Sequence, residues 1–452
     1  MPTCIILVMK KNVSRVLVKR QTSQQTSGKL RLDDDCFVLD KDRLPHHEAL
    51  AILKARVRPV VGVEDVPLAD AAGRFLAEAV VSPRAIPAHD NAAVDGYAFA
   101  YASYDKGKGA RLVIAGQASA GHPLSNAPLP DHAVRIFTGA VMPQGFDTVA
   151  MQEDVLVEDE GGGRWAVIPP GLRQCANRRL AGEDAKAGAV LLEPGTRLRP
   201  QDVASAAATG LDRLRCYAPL KIAIASSGDE ILRSGEAFGP GKVYDANVPM
   251  LEGLARAVGS AAVDLGVLPD KAERVRAALS RASKRYSAII ISGGASQGAE
   301  DHVVRSIDAL GKRHLWQIAI KPGRPMSFGQ VGDSVVLGLP GNPVAVFVCF
   351  LMYVRPVLTR LAGGLWPEPV RFPLPAAFTQ RKKLGRREFW RARLTRSDGG
   401  QLQVAKFPRD GSGLISSLRE SDGLVEVSEE VDEVRAGEMV NFIPFSEFGL
   451  LS

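Results

Sequence analysis

The segment 221–343 constrains the fold more than any other part of the chain. Short apolar runs at 221–225, 263–268, 288–291 and 335–339 alternate with helical patterns. Three of them stop at turns rich in Gly and Ser: Ser226-Ser227-Gly228-Asp229-Glu230, Ser292-Gly293-Gly294-Ala295-Ser296, and Pro340-Gly341-Asn342-Pro343. Alternation of this kind specifies a parallel sheet with crossover helices. Ligands of such sheets bind beyond the carboxyl ends of the strands, where these turns fall.

The run 288–291 is apolar at every position, as a central parallel strand requires. Helices are expected over 247–258 and after 270, 301 and 343. Asp270-Lys271-Ala272-Glu273 has the form of a capping box, so Asp270 reads first as a helix N-cap, and Asp301 reads the same way. Asn342 is suited to an N-cap and Pro343 to a first helical residue. The helix after Pro343 is apolar all round and should be buried. Lys321-Pro322-Gly323-Arg324 reads as a hairpin-like turn carrying two cations.

The flanking regions have different patterns. Residues 45–57 and 200–209 read as helices. Residues 98–184 contain strand-like pieces separated by turns and read as a small all-β unit. Within 86–97, Asp90 and Asn91 read first as turn caps. Thr138 and Gly139 stand at a strand end that suits either anion contact or an ordinary turn. Arg178 and Arg179 suit either a phosphate or a solvated loop. Residues 367–375 read as a proline-rich linker, and 376–446 as a small β-barrel or sandwich with a basic first strand (Lys382, Lys383, Arg386, Arg387, Arg391).

At 452 residues the chain needs several domains. Its net charge of +7 resides in one place. Residues 1–31 hold seven basic and no acidic side chains, and the rest balances 50 against 50. The arm 1–36 reads as a disordered tail, with a transit-like peptide as the alternative, and no nucleic-acid partner is expected. The longest apolar run, 344–354, is about half of what a membrane span needs, so no membrane partner is expected. Five scattered cysteines without a C-x-x-C suit a reducing, cytoplasmic setting.

Together these features describe a crevice with Asp229, Glu230, Asp270 and Asp301 at strand ends, glycine-rich anion loops, and Lys321 and Arg324 on the same rim. Carboxylates beside phosphate-cradling loops suit a Mg²⁺-assisted reaction at a phosphate. Neither a G-x-G-x-x-G nor a G-x-x-x-x-G-K-[ST] motif occurs, which disfavours a dinucleotide site and a P-loop.

The ordered set Asp90-Asn-Ala-Ala-Val-Asp-Gly-Tyr, Thr138-Gly-Ala, Gly182-Glu-Asp, Ser227-Gly-Asp-Glu, Tyr244-Asp-Ala-Asn, Ser292-Gly-Gly-Ala-Ser, Lys321-Pro-Gly-Arg-Pro and Gly338-Leu-Pro-Gly-Asn-Pro resembles the MoeA family of molybdopterin molybdenumtransferases. That family shares its architecture with the E domain of gephyrin, and the resemblance runs from about residue 40 to the C-terminus. It implies a multidomain α/β plus β fold. An elongated N-terminal dimerisation domain would take 37–85 and 185–215, and an inserted β domain 86–184. A MogA-like doubly wound α/β domain would take 216–364, and a C-terminal β-barrel-like domain 365–452.

The resemblance further implies a homodimer that inserts molybdate into adenylylated molybdopterin with Mg²⁺, releasing AMP, with a MogA-type adenylyltransferase as a possible partner. It places Asp90, Thr138, Asp184, Glu230, Asp270, Asp301 and Lys321 at catalytic positions. Ser227, Gly228, Ser292, Gly293, Gly294, Ser296, Arg324, Pro340, Gly341, Asn342, Arg386 and Ser412 fall at substrate- and anion-binding positions, and Asp229, Glu230 and Asp301 at the metal. The active site would lie between the α/β domain of one subunit and the β unit of the other. Gln317 stands where the family usually has a second lysine, Arg324 where a Lys is common, His89 where an aromatic residue is usual, and Ala92 where a serine is usual. The alternatives are an adenylyltransferase, since the α/β part alone also resembles MogA, and a non-catalytic scaffold like the gephyrin E domain.

Overall fold

The computed structural model describes residues 43–293, 302–323 and 325–450. The basic arm and the proposed site residues Gly294, Ser296, Asp301 and Arg324 lie outside the described residues.

The segment 221–343 forms the expected sheet. Its strand order is Ala261–Leu268, Lys221–Ser227, Ala288–Ser292, Ser334–Leu339, Pro325–Val331, Lys312–Gln317. The first four strands run parallel, with Ile224 beside Ile290 and Ile290 beside Leu337. The last two are an antiparallel pair added at one edge, so the sheet is mixed. Successive side chains of a strand point to opposite faces. Ile222, Ile224, Ile290 and Leu337 therefore enter one core, and Ala223, Ala225, Ile289 and Ile291 another. The second core is covered by Val275 and Leu279 of helix Ala272–Ala282 and by Val303 and Ile307 of helix His302–Leu310.

The first core is larger and fuses two domains. It takes in helix His46–Arg56 through Ala49 and Leu53, and Phe389, Leu424 and Ile443 of the C-terminal sheet. Its axis is the helical stretch Pro343–Leu361, 19 residues long and 89% buried, with a π-helical turn at Phe350–Val354. This corrects the expectation that nothing approaches membrane-spanning length. Arg355, Pro356 and Arg360 interrupt the apolar run in sequence, but the helix continues through them. Its burial inside the fold identifies it as a core helix. Phe350 and Tyr353 are among the largest fully buried side chains. Truncating either to Ala would cost about 3–5 kcal/mol.

The inserted β region is a six-stranded sheet in the order Thr148–Met151, Gly96–Phe99, His132–Ile136, Ala110–Ala118, Gly163–Ile168, Leu156–Glu160. It has its own two small cores. Beside it, strands Val63–Pro67 and Arg213–Tyr217 pair over a core that includes Val66, Leu76, Leu198 and Leu214.

Two expectations near the C-terminus fail. The stretch expected to be a linker contains strand Phe372–Pro375, which pairs with Met439–Pro444. Proline is tolerated there because the strand pairs along one side only. The basic residues do not form the first strand of this domain. Lys382, Lys383 and Arg386 precede Arg387–Arg396, its long third strand after Phe372–Pro375 and Gln380–Arg381, and only Arg387 and Arg391 lie in it. The sheet curls so that Ala376 bridges Val404, bringing its two ends together.

Candidate functional site

The carboxyl ends of strands Lys221–Ser227 and Ala288–Ser292 flank the point where the chain switches from one side of the sheet to the other. Two glycines shape this edge. Gly293 has φ +91°, and a Cβ there would lie 2.5 Å from the Ser227 carbonyl oxygen. Gly228 has φ +141°, and a Cβ there would collide with the Glu230 carboxylate, which folds back over it. Only glycine allows both the conformation and the close approach.

Asp229 and Asp270 are joined reciprocally. The Asp270 N–H donates to Asp229 Oδ1 at 3.1 Å, and the Asp229 N–H reaches Asp270 Oδ2 at 3.4 Å. This corrects the capping-box reading: the following helix takes Lys271 as its N-cap and has no side-chain cap. Asp270 instead ties the end of one strand to the turn after its neighbour. Lys242 Nζ donates to the Asp229 carbonyl at 2.5 Å.

Behind this rim lies a polar network that the sequence reading did not assign. Buried Asp245 accepts from Ser226 Oγ at 2.5 Å and from Arg233 at 2.9 Å through one oxygen. Its other oxygen accepts the N–H groups of Asn247 and Val248, at 3.0 and 3.1 Å, at the start of helix Asn247–Ala257. Asn247 Nδ2 donates to Ser292 Oγ and to the Gly341 carbonyl, both at 2.7 Å. Asn247 thereby ties the Ser292 turn to the Pro340-Gly341-Asn342 turn. The available signal was Tyr244-Asp-Ala-Asn, recognised as a motif but given no role. Asn342 occupies the N-cap position as expected, although its side chain makes no cap hydrogen bond.

From Asn342 the crevice continues into a cavity of about 280 Å³ between the α/β and C-terminal domains. Lys321, Pro340, Asn342, Arg386, Asp410 and Ser412 are among its lining residues. Five of these six were named from the sequence. Their meeting depends on a short parallel pair in which Ile320 and Lys321 lie beside Arg387 and Glu388. The hairpin-like turn does join an antiparallel pair, Lys312–Gln317 with Pro325–Val331, as expected, and its connection also pairs with the C-terminal sheet. The Val344 N–H donates to the Ser412 carbonyl at 3.0 Å, fixing the opposite wall.

Glu388, 1% exposed, lies behind the cations. Its Oε1 accepts from Arg386 Nε at 2.8 Å and lies 2.7 Å from Arg386 NH2. Its Oε2 accepts from Trp390 Nε1 at 2.8 Å and lies 3.7 Å from Lys321 Nζ. Burial raises the Asp410 carboxyl, but Lys406 at 2.6 Å, with Lys321 and Arg391 beyond it, more than offsets this and holds it below its ordinary range. Burial pulls the Lys382 ammonium down, opposed by Glu388. Gln317 does not line the cavity.

Asp90, Thr138 and Asp184 form a separate group in the inserted β region. Asp90 accepts the Ala181 N–H at 2.7 Å and pairs with Arg178 at 3.3 Å. Asp95 Oδ1 accepts both the N–H and the hydroxyl of Thr138, each at 2.7 Å. Those bonds hold the Asp95 carboxyl below its ordinary range. The Asp184 N–H donates to the Ile86 carbonyl. Among the described residues, none of these bonds reaches the crevice of the same chain.

Magnesium is commonly held by one or two carboxylates together with substrate oxygens. Among the described residues no three His, Cys, Asp or Glu side chains converge as a complete metal cage. At the rim Asp229 and Asp270 each accept the other's backbone N–H, and the Glu230 carboxylate folds back over Gly228; one or two of these carboxylates suit a hard cation whose remaining ligands are phosphate oxygens.

This edge-of-sheet crevice, with an acidic rim and an interdomain cation cavity, matches one class of protein along the chain. Residues 44–210 match the MoeA N-terminal region (domains I and II), 223–360 a probable molybdopterin binding domain, and 373–445 the MoeA C-terminal region (domain IV). A molybdopterin molybdenumtransferase of Haemophilus influenzae is 35% identical over 85% of this chain and 94% of its own. Molybdopterin molybdenumtransferase 2 of Mycobacterium tuberculosis is 33% identical over 87% of this chain and 96% of its own. The crystal structure of a molybdopterin biosynthesis MoeA protein from Pyrococcus horikoshii superposes with a TM-score of 0.72 at 28% identity, covering 89% of this chain and 99% of that one. The chain belongs to the MoeA family.

Proposed function

We propose that this protein is a molybdopterin molybdenumtransferase acting in molybdenum cofactor biosynthesis in the cytoplasm. Its substrates are adenylylated molybdopterin and molybdate, and its products are AMP and the molybdenum cofactor. The carrying observation is the cavity in which Lys321, Arg386, Asn342 and Ser412 converge at the end of the strand-end crevice. Two cations beside a hydroxyl suit a small tetrahedral oxyanion. The neighbouring glycine turns and acidic rim suit a pyrophosphate.

In this reading the turns at Ser227-Gly228 and Ser292-Gly293 would bind the phosphates, while Lys321 and Arg386 would hold molybdate at the far end. Asp229, Glu230 and Asp301 would hold Mg²⁺, which would supply charge neutralisation at the phosphate. Among the described residues, Asp90, Thr138 and Asp184 make no bond to the crevice of their own chain. Their isolation supports a homodimer in which they complete the crevice of the partner subunit. A MogA-type adenylyltransferase would supply the adenylylated pterin.

The test is AMP release from adenylylated molybdopterin by purified protein, anaerobically with Mg²⁺, with and without molybdate. Molybdate-dependent release, with a product that activates an apo-molybdoenzyme, is expected. ATP-dependent adenylylation of molybdopterin instead would overturn the assignment.

A further inference from the structure

Lys321 and Arg386 come from different domains, with side chains 40% and 19% exposed. For two such groups to act on one small oxyanion, something must fix them relative to each other. Among the described residues, Glu388 is the carboxylate that reaches both of them. Its carboxylate is almost wholly buried, and all of its contacts are with groups at the cavity wall.

The geometry separates the roles of its two oxygens. Oε1 engages the Nε and NH2 edge of Arg386, which leaves the NH1 end of the guanidinium without a protein partner among the described residues. Oε2 is anchored by the Trp390 indole at 2.8 Å. It lies 3.7 Å from Lys321 Nζ, near enough for attraction and too far for a hydrogen bond, so the ammonium keeps its donors. The backbone sets the same relation, because Lys321 and Glu388 are register partners in the interdomain strand pair.

We propose that Glu388 is the positioning residue of the oxyanion cavity, one buried carboxylate that orients Arg386 and Lys321 so that their remaining N–H donors face the same anion. This rests on the reading of the cavity as an oxyanion site. Two simpler roles make opposite predictions. If Glu388 only offset positive charge, removing its charge would tighten oxyanion binding. If it only helped the domains dock, its loss would lower stability and leave the affinity of folded protein unchanged.

The experiment is calorimetric titration of the full chain with molybdate, and separately with tungstate, alongside thermal melts. Charge-assisted bonds to a guanidinium are worth enough that Glu388→Gln should weaken binding about tenfold. Glu388→Asp should restore part of that loss, and in an Arg386→Ala background Glu388→Gln should have a smaller further effect, through Lys321 alone. Should Glu388→Gln not fold, Trp390→Phe removes the donor that anchors Oε2, together with some packing of a buried ring, and is expected to weaken binding about threefold in the protein that remains folded by thermal melt. Unchanged or tighter binding in either variant overturns the positioning role while leaving the cavity assignment intact. Absence of oxyanion binding by the wild-type protein overturns both.

Discussion

Arg386 and Arg387 are consecutive residues in one basic stretch, yet they belong to two different constructions. Arg387 bonds Glu426 at 2.7 Å and Glu429 at 2.9 Å, deep in the junction between the α/β and C-terminal domains. Beside it lies His46, which is 1% exposed and whose Nδ1 meets the Tyr353 hydroxyl at 2.6 Å. Arg386 faces the other way, onto Glu388 and the open cavity. Both arginines are paired with carboxylates. In the first case every partner is protein, and in the second, part of the guanidinium is left for a ligand. Basic character alone therefore identifies neither a binding site nor a structural ion pair. What separates them is how many donors the fold leaves unused.

Four measurements would break or sharpen that contrast. The largest effect is expected from Arg387→Ala, which leaves the buried Glu426 with Arg371 alone and takes Glu429's arginine away, and should cost about 3–5 kcal/mol in urea unfolding. A cost below about 1 kcal/mol would erase the structural half of the comparison. Next comes His46. Burial, with Arg387 nearby, lowers its pKa from 6.5 to about 4, against the pull of Glu426 and Glu429. The unfolded chain therefore takes up a proton below pH 6.5 that the folded chain refuses until about pH 4. The contribution is present above pH 6.5 and lost as pH falls toward 4, in total about 3 kcal/mol. Urea midpoints at pH 7 and pH 4.5 should show it, and His46→Gln should flatten the difference. An equal pH response in that variant would assign the loss elsewhere.

On the functional side, Lys321→Ala should lower AMP release about a hundredfold, as removal of one anion-hole donor does. Because its side chain is 40% exposed, the same change should cost under about 1 kcal/mol in stability. A large drop in stability would make Lys321 a second Arg387. The smallest effect is expected from Gln317→Lys. That position ends strand Lys312–Gln317 outside the cavity wall, and a screened charge there should change AMP release less than about threefold. A large gain in rate would extend the cation site beyond its present boundary.

The contrast also bears on what the sequence could show. The turns after 227, 292 and 339 were legible because each closes an apolar run, and strand ends are where ligands collect. Lys321, Asn342, Arg386 and Ser412 were reached through motif resemblance, and the fold brings them to one cavity. Asp245, Asp95 and Glu388 were not legible as site residues. Each acts by holding another side chain, and such a carboxylate has no mark in the sequence until its partner is known. Asp270 was misread because a carboxylate before a helix looks like a cap, and only the geometry shows it reaching across to Asp229. Strand Phe372–Pro375 was hidden by its prolines, and the full extent of the core helix by the arginines and proline within it.

The strand pair that sets Lys321 beside Glu388 is only two residues long. It is also the seam at which the α/β domain meets the C-terminal sheet. A molecule whose C-terminal domain has not yet docked already carries the acidic rim and the glycine turns, but half of its cation pair is elsewhere. The seam thus ties the cavity to domain docking, because its wall is complete only when the C-terminal sheet is in place.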